Sequence, residues 1–476
     1  MTELIQITDL EQLLSSEISS RTTLLINLHN KQIGEKGSSD LGIALAKSNN
    51  LLNLVLQLAN SIGANGGSSL GSALAKCVNL ETLTLDLRKN QLGPKTVLDL
   101  GSALAKCSNL TILSLDLSEN KIVDKGSSDL VSALTKCSNL STLELYLESN
   151  KIGDKGSSDI GQNISKCQKL QNLKLALSDN KIGASGALNL GSGLGKCKNL
   201  QILTIEVKGN KFGGQGASDF GTGLANCSNL KTLTLNLRKN NIDEDGLSNL
   251  ASSIGMCTNL TILTLDLSEN TIGEIKKCNI GSSLANSTQL TTIKLDLSNN
   301  QIGDSGASNL SQGLGRLTNL LNLQLELKSN KIGGQGQLDL CSNLLQIPNL
   351  LNLTLNLGGN EINDKNISDI VQTLAKQTNL SNLSIDLAHN QIEEQSELDL
   401  DFNISKCNNL SNLTIYLHHS FIGGRNAEKI VNSLAKCSSL SFLTLHLYGN
   451  DIITPNNLRT KMLKMRKLVE LVFYLW

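Results

Sequence analysis

The chain has 476 residues, and its 42 basic and 42 acidic side chains leave no formal net charge at pH 7. This balance excludes the general attraction that draws strongly basic proteins to nucleic acid or to anionic membranes. No apolar run reaches the ~18 residues of a membrane span, and the start, MTELIQITDLEQLL, lacks the basic and apolar regions of a signal peptide. We therefore expect a cytoplasmic protein that binds neither nucleic acid nor membrane.

Residues 1–20 are predicted to form an N-terminal cap. Thr8 and Glu11 have the spacing of a capping box, and the segment continues to Ile18 as a short amphipathic helix. Such a helix would cover the open side of the first repeat, as the ends of a solenoid require.

A unit of about 30 residues then recurs from residue 21 to 455. The stretch at 109–137, NLTILSLDLSENKIVDKGSSDLVSALTKC, shows its pattern, and the asparagine after the leucines recurs at that step from Asn90 to Asn450. Sixteen runs of alternating leucines can be counted. A fixed period of this length predicts a solenoid, in which each unit buries its apolar face on its neighbours.

Each unit contains a predicted strand and a predicted helix. Leu113 and Leu115 alternate with polar residues, as in a strand with one buried face. Leu130 and Leu134 then lie on one stripe of a helix, for which Asp124 is the predicted N-cap. Equivalent strands joined through helices must pair in parallel with right-handed crossovers. Because helices are wider than the strand spacing, we expect the strands on the concave side.

Two repeated columns are predicted to be structural. The turn asparagine can bond the backbone of the adjacent turn, and Ser420 breaks that column. A position at the helix end holds nine cysteines, which we interpret as a ladder of small, reduced core residues rather than a metal or redox site. They are Cys77, Cys107, Cys137, Cys167, Cys197, Cys227, Cys257, Cys407 and Cys437.

The motif L-x-L-x-x-N-x-I followed by a full helix resembles the leucine-rich repeats of the ribonuclease-inhibitor type. The resemblance covers residues from about 24 to 476 and implies one right-handed α/β horseshoe, with about sixteen parallel strands on the concave face and helices on the convex face. The Ser-, Asn- and Lys-rich tandem units are similar to the expanded leucine-rich repeat families of ciliate protists. Some members of those families are labelled as kinase-domain proteins, but this chain has no kinase motif.

The C-terminal residues 456–476 are predicted to form a cap repeat, with a helix containing Met462 and Met465 and a last strand. Most of the chain's aromatic residues lie in its last seventy-five or so residues. For the two final aromatic side chains the alternative role is to close the end of the core. By their repeat positions, six side chains are predicted to form one partner-binding patch on the concave face: Tyr416, His418, His446, Tyr448, Tyr474 and Trp476.

Carboxylates occupy half of a column on the predicted concave face. Asp is unfavourable in strands, and like charges on adjacent strands repel, so the column costs stability. One interpretation is a polar surface copied by duplication, and the other is an acidic stripe for a basic partner. The seven positions are Asp86, Asp116, Glu206, Asp266, Asp296, Glu326 and Asp386.

No catalytic constellation emerges, because the five histidines fall in no H-E-x-x-H motif and near no G-x-S-x-G motif. We expect no cofactor and no metal, and we predict a monomeric, non-enzymatic scaffold that binds a protein partner on its concave face. The alternative is a regulator of a small GTPase, because repeats of the ribonuclease-inhibitor type also build the Ran GTPase-activating proteins. Those activators carry an acidic tail, whereas this chain ends in apolar residues.

Overall fold

The repeated leucines form short parallel strands that alternate with helices. The computed structural model describes residues 5–48, 50–273, 280–374, 376–390, 409–437, 439–450, 452, 458 and 470–474. By their internal contacts the residues divide into two units, Met1–Asn240 and Asn241–Trp476, and each is described by itself. The prediction that residues 1–476 form one domain stays a prediction.

The first unit contains nine described strands and eight described helices. Its strands are β1 (Ile5–Ile7), β2 (Thr23–Asn27), β3 (Asn53–Gln57), β4 (Thr82–Asp86), β5 (Ile112–Asp116), β6 (Thr142–Tyr146), β7 (Asn172–Ala176), β8 (Ile202–Glu206) and β9 (Thr232–Asn236). Its helices are α1 (Leu10–Ser15), α2 (Gly34–Leu45), α3 (Gly63–Leu74), α4 (Pro94–Leu104), α5 (Asp124–Leu134), α6 (Asp154–Ile164), α7 (Ala184–Leu194) and α8 (Gly213–Leu224). The next described helix, α9 (Glu244–Ile254), belongs to the second unit.

The second unit continues the alternation. Its strands are β10 (Ile262–Asp266), β11 (Thr292–Asp296), β12 (Asn322–Glu326), β13 (Asn352–Asn356), β14 (Asn382–Asp386), β15 (Asn412–Tyr416), β16 (Phe442–His446) and β17 (Glu470–Tyr474). Its other described helices are α10 (Ile280–Leu284), α11 (Gly303–Leu314), α12 (Gly334–Leu344), α13 (Asp364–Leu374) and α14 (Gly424–Ala435). The sixteen predicted repeat strands correspond to β2–β17, so the predicted repeat solenoid of parallel strands alternating with helices is confirmed.

Strand pairing within each unit is parallel and keeps the repeat register. Leu113 of β5 lies opposite Leu83 of β4 and Leu143 of β6. In the second unit Leu323 of β12 lies opposite Leu353 of β13 in the same way. A slip of one residue would turn every leucine to the exposed face, so the leucine pattern itself fixes this register.

The leucines of each strand form the core, and the residues between them remain accessible. Leu113 and Leu115 of β5 are fully buried, whereas Asp116 is only half-buried. Leu117 lies one residue past the strand, and its N–H donates to the carbonyl oxygen of Tyr146 at 2.8 Å. Leu117, the last leucine of its run, therefore extends the inter-strand ladder by one hydrogen bond beyond the end of the strand.

The prediction that Asp124 caps its own helix is wrong. Asp124 is the first residue of α5, and the N-cap, Val123, makes no side-chain cap bond. Oδ1 of Asp124 instead accepts the N–H of Gly153, the N-cap of α6, at 2.6 Å. In the next repeat Asp154 accepts the N–H of Gly183 at 2.6 Å. The carboxylate thus ties the start of one helix to the turn of the following repeat, because helix starts are stacked side by side.

The predicted role of the turn asparagine is confirmed. Nδ2 of Asn90 donates to the carbonyl oxygens of Leu58 at 2.9 Å and Leu87 at 3.0 Å. Its Oδ1 accepts the N–H groups of Ser61 at 2.9 Å and Ile62 at 2.8 Å. One buried amide therefore satisfies backbone groups of two adjacent turns, which would otherwise be desolvated without a partner.

The cysteine ladder forms part of the core. Cys77, Cys107 and Cys137 are buried and make no disulfide in the described part of the chain. Burial raises the pKa of Cys107 to about 12 and that of Cys137 to about 11. These thiols are protonated at neutral pH, which suits a packing residue. Cys278 and Cys407 lie outside the described residues.

The N-terminal segment differs from its prediction in two respects. The N-cap of α1 is Asp9 rather than Thr8, because Oδ1 of Asp9 accepts the N–H groups of Glu11 at 2.8 Å and Gln12 at 3.3 Å. An ionised carboxylate is a better acceptor at the positive end of a helix than a hydroxyl. A short strand, β1, also precedes the helix and pairs in parallel with β2.

At the other end, β17 is the predicted last strand and pairs in parallel with β16. The predicted helix with Met462 and Met465 lies outside the described residues, as does Trp476. Within the residues that are described, no helix combines the length and the apolar character needed to cross a bilayer.

Candidate partner-binding surface

The side chains between the buried leucines form an exposed surface on the sheet of each unit, which we call the strand face. In the first unit Asp86 and Asp116 lie opposite each other on β4 and β5. In the second unit Asp266, Asp296 and Glu326 follow one another on β10, β11 and β12. Uncharged residues occupy the strands next to these groups, so the predicted acidic stripe is discontinuous.

In the first unit, cations of the strand face neutralise the carboxylates. Arg88 lies 2.9 Å from Asp86 and 3.9 Å from Asp116. Nζ of Lys174 lies 2.8 Å from Glu206 and 5.0 Å from the ring centre of Tyr146. The carboxylates of this unit therefore already have intramolecular partners.

The column carboxylates of the second unit make no such ion pairs among the described residues. Among its described residues, Asp266, Asp296, Glu326 and Asp386 form no ion pair within 4.0 Å. Burial raises the pKa of Asp296, and the charges of Asp266 and Glu326 raise it further. The ionised column is therefore repulsive in the unbound protein, and a cationic partner would relieve that repulsion.

These carboxylates also have a local structural role that the sequence reasoning missed. Oδ1 of Asp296 accepts the N–H of Ser298, and Oδ1 of Asp386 accepts the N–H of Ala388, each at 2.9 Å. Asn356 makes the equivalent bond to the residue two positions on, at 3.0 Å. Asp and Asn both make this turn. The signal was present in the sequence, because Asp and Asn occupy the same column in different repeats.

The described aromatic residues of the predicted patch are stacked on one another across adjacent strands. The ring of His446 on β16 lies between those of Tyr416 on β15 and Tyr474 on β17, with both centroid distances at 4.3 Å. The interplanar angles are 19° and 11°. Parallel strands in register bring equivalent side chains to about the spacing of stacked rings.

A second stack runs beside the first. The rings of His418 and Tyr448 lie 4.6 Å apart with an angle of 6°. Edge-to-face contacts join the two stacks, at 6.4 Å between Tyr416 and His418 and at 6.5 Å between His446 and Tyr448. The structure therefore brings five of the six predicted patch residues together, and the sixth, Trp476, is not described.

Two further histidines belong to this group, and sequence reasoning missed them. His389 and His419 stack on each other at 5.1 Å, and His389 meets His418 edge-on at 5.2 Å. They precede the turn position of successive repeats, exactly 30 residues apart, and this shared position was the signal. The ring cluster, as we call the whole group, comprises His389, Tyr416, His418, His419, His446, Tyr448 and Tyr474.

Comparisons with known proteins agree with this geometry. A family model described as Leucine Rich repeat matches residues 108–131, 169–191, 228–251 and 289–311. A solved leucine-rich repeat protein of Leptospira interrogans matches 99% of this chain over 100% of its own, with 19% identity and a TM-score of 0.57. This chain contains leucine-rich repeats and has their fold. No curated protein sequence matches it significantly. The ribonuclease-inhibitor subtype and the likeness to ciliate families stay predictions.

The ring cluster of this leucine-rich repeat protein contains imidazoles in an unusual setting. Burial lowers the pKa of His418 and of His446, and the charge of Asp386 opposes both shifts. Nδ1 of His418 is buried without a hydrogen-bond partner among the described residues. The lowered pKa values favour the neutral form of these two imidazoles at pH 7.

No metal site accompanies this arrangement in the described part of the leucine-rich repeat protein. No group of three or more His, Cys, Asp or Glu side chains there is arranged to hold a metal ion. The contacts within the ring cluster are ring contacts.

Proposed function

We propose that this leucine-rich repeat protein is a non-enzymatic scaffold that binds a protein partner on the strand face. The ring cluster is the observation that supports the proposal most strongly. Tyrosines are enriched at the energetic centres of interfaces, because a rigid ring buries much area at small entropic cost. In the cluster the rings are also held in place by stacking, so they lose little conformational entropy when a partner binds.

The alternative reading of the ring cluster is structural. Cross-strand ring pairs stabilise sheets, and the stack of Tyr416, His446 and Tyr474 would do so near the end of the repeat array. The partner-binding proposal requires more, namely that the exposed ring edges contact another molecule. Tyr474 is 48% exposed, so much of its surface remains available for such contact.

The acidic residues offer a second site on the same face. Asp266, Asp296 and Glu326 have no ion pair among the described residues, so a basic segment of a partner would find three unneutralised carboxylates in a row. We place the energetic centre at the ring cluster and assign the carboxylates to orientation and association rate, which is the usual role of charged groups at an interface rim.

The deciding experiment is quantitative capture of partners from extract of the source cell, followed by titration with the purified partner. Tyr416→Ala combined with Tyr448→Ala should weaken binding by at least ~2 kcal/mol, the scale of an interface hot spot. Lys125→Ala, on the exposed side of α5, is the control and should bind as the wild type does. Unchanged binding by the tyrosine variant, with binding lost on neutralising the three carboxylates, would move the centre to the acidic residues.

Regulation of a small GTPase stays the alternative hypothesis. It rests on resemblance of the repeats alone, and a fold does not determine a function. Measuring GTP hydrolysis by candidate small GTPases with and without the purified chain tests it directly.

We further propose that the protein acts as a monomer in the cytoplasm. The buried thiols support this location, because Cys77, Cys107 and Cys137 lie within one core ladder without forming a disulfide. Sedimentation of the purified chain and imaging of the tagged protein in its source cell are the corresponding tests.

A further inference from the structure

Four of the five histidines of the chain belong to the ring cluster, and three of these contact one another. The ring centroids are separated by 5.2 Å for His389 and His418, 5.1 Å for His389 and His419, and 5.8 Å for His418 and His419. We call these three residues the histidine triplet. Two imidazolium charges at such separations repel, and partial burial strengthens the repulsion.

We propose that the histidine triplet is a proton-operated switch, which keeps the ring cluster closed while its imidazoles are neutral and opens it when they become charged. The inference rests on the proposed function, because it assigns a regulation to the same docking surface. Acidification would disorder the surface and release a partner that requires the stacked rings.

The groups around His418 determine the direction of this response. Burial is the largest cause that lowers its pKa, the nearby imidazoles add to the effect, and one carboxylate opposes it. Among the residues that the structure describes, no lysine or arginine contributes to the shift. The titratable and charged groups are Asp386 and His389 from the repeat of β14, Tyr416 and His419 from that of β15, and His446 and Tyr448 from that of β16.

His446 differs from the triplet in its surroundings. Both of its faces lie against tyrosine rings at 4.3 Å, and the negative face of an aromatic ring attracts a cation. Burial still lowers the pKa of His446, but the two ring faces offset part of the cost of a proton there. A proton on His418 meets the two other imidazoles of the triplet, so the opening should begin there.

The sign of the pH effect follows from the lowered pKa. A histidine whose pKa is lower in the folded protein than in the unfolded chain binds fewer protons when folded. Its stabilising effect is complete above the unfolded value of ~6.5 and is lost as the pH falls through that value toward the folded one. The closed cluster should thus be stable at neutral pH and weaken at mildly acidic pH.

The repeats themselves supply replacements that fit the backbone. His389 and His419 have positive φ angles of 58° and 50°, and at the same position Asn299 has 56° and Ser329 has 55°. The position of His418 holds serine in other repeats. The variant with His389→Asn, His418→Ser and His419→Ser therefore removes the triplet while keeping side chains that the turn accepts. His29→Ser is the matched control, since that histidine lies outside the cluster.

The test uses the purified full-length chain without a partner. Histidine ring signals are followed by NMR from about pH 8 to about pH 5. Amide hydrogen exchange of β15 and β16 is measured at about pH 7.5 and about pH 5.5, on either side of the ordinary histidine pKa of ~6.5. We expect His418 to titrate below ~6.5 and its protonation to be spread over a wide pH range. Protection of β15 and β16, corrected for intrinsic exchange, should be lower at the acidic pH than at the neutral one, whereas the protection of β5 should not change.

The triplet variant should show no such fall in protection, and His29→Ser should behave as the wild type does. Independent titration of all five histidines near the ordinary value, or equal loss of protection in wild type and triplet variant, would overturn the proposal. Because no partner takes part, such a result leaves the docking proposal intact. Conversely, unchanged partner binding by the variant with Tyr416→Ala and Tyr448→Ala would mean that the switch, if present, does not regulate binding at the ring cluster.

Discussion

Single buried polar side chains hold the turns of this protein together. Asn150 is fully buried, and its Nδ2 donates to the carbonyl oxygens of Leu117 at 2.9 Å and Glu148 at 3.0 Å. Its Oδ1 accepts the N–H of Ile122 at 3.0 Å. Each such amide replaces water for several backbone groups at once, which explains why the repeat keeps asparagine at this position.

Removing that amide should therefore destabilise the folded protein. We expect Asn150→Ala to lower the free energy of unfolding by ~2–4 kcal/mol, because it leaves more than one buried backbone group without a partner. Asn139→Ala is the control, since its partly exposed side chain bonds the carbonyl oxygen of Ser108 at 3.0 Å and Nζ of Lys169 at 2.7 Å, and water can replace both bonds. Urea denaturation of both variants provides the comparison, and equal losses would contradict the role given to the buried amide.

Serine is a weaker substitute at this position. Ser420 is fully buried, and its Oγ donates to the carbonyl oxygen of His418 at 3.2 Å. Its N–H donates to Oδ1 of Asn450 at 3.0 Å, so the neighbouring repeat still supplies its own amide. The turn at Ser420 thus tolerates the substitution because the asparagine of the next repeat still bonds it.

At the scale of elements, some helices are capped by an aspartate of the preceding repeat, whereas α1 and α9 are capped by Asp9 and Asp243 just before them. Asp154 accepts the N–H groups of Gly183 at 2.6 Å and Gly186 at 3.1 Å, and the hydroxyl of Ser185 at 2.6 Å. These groups lie at the start of α7, where unpaired N–H groups and the helix dipole both favour a carboxylate. The same hydrogen bonds therefore cap the helix and hold the two adjacent repeats together.

Because Asp154 caps the helix of the next repeat, its loss should destabilise the protein more than the loss of an aspartate elsewhere in its own repeat. Asp154→Ala should lower the free energy of unfolding by ~1–2 kcal/mol, the usual loss for an N-cap. The control is Asp159→Ala, which breaks an i,i+4 ion pair whose lysine, Lys155, is largely exposed, and such pairs contribute only ~0–1 kcal/mol. Hydrogen exchange should show the loss of protection at the start of α7 rather than in α6. Loss confined to α6 would mean that Asp154 acts within its own helix.

At the scale of the molecule, a formal net charge of zero conceals an unequal pairing of charges. On the strand face of the first unit, Asp86 is bound to Arg88 at 2.9 Å. On that of the second unit, Asp296 lies between Asp266 and Glu326 and has no ion pair among the described residues. The pattern separates a surface that is neutralised internally from one that remains open to a cationic partner.

Substitution by asparagine tests this difference, because asparagine keeps the turn bond of the carboxylate. Asp296→Asn should raise the melting temperature at pH 7, since it removes a charge whose pKa is raised by burial and by like charges. A raised carboxyl pKa means that the folded state binds more protons, so the gain should vanish below pH ~4. Asp86→Asn should give no gain, because that carboxylate has Arg88 as its partner. Equal shifts for the two variants would contradict the assignment.

The sequence by itself determined the repeat, its length and the direction of its side chains. Leucines with a period of two, followed by a helical stripe, have one solution that buries every apolar face, and Leu113 and Leu115 are buried as that solution requires. The parallel register and the asparagine ladder follow from the same 30-residue step, because equivalent residues of adjacent repeats must lie side by side.

Tertiary structure alone decided which partner each polar group takes. Asp124 has the local spacing of a cap for α5, yet it bonds Gly153 because stacking brings the next turn closer than its own free N–H groups. His389 and His419 join the ring cluster through left-handed turn residues, whose side-chain direction no strand or helix period describes. Local pattern fixes which face a residue occupies, whereas the contacts across repeats depend on distances that exist only after the repeats have stacked.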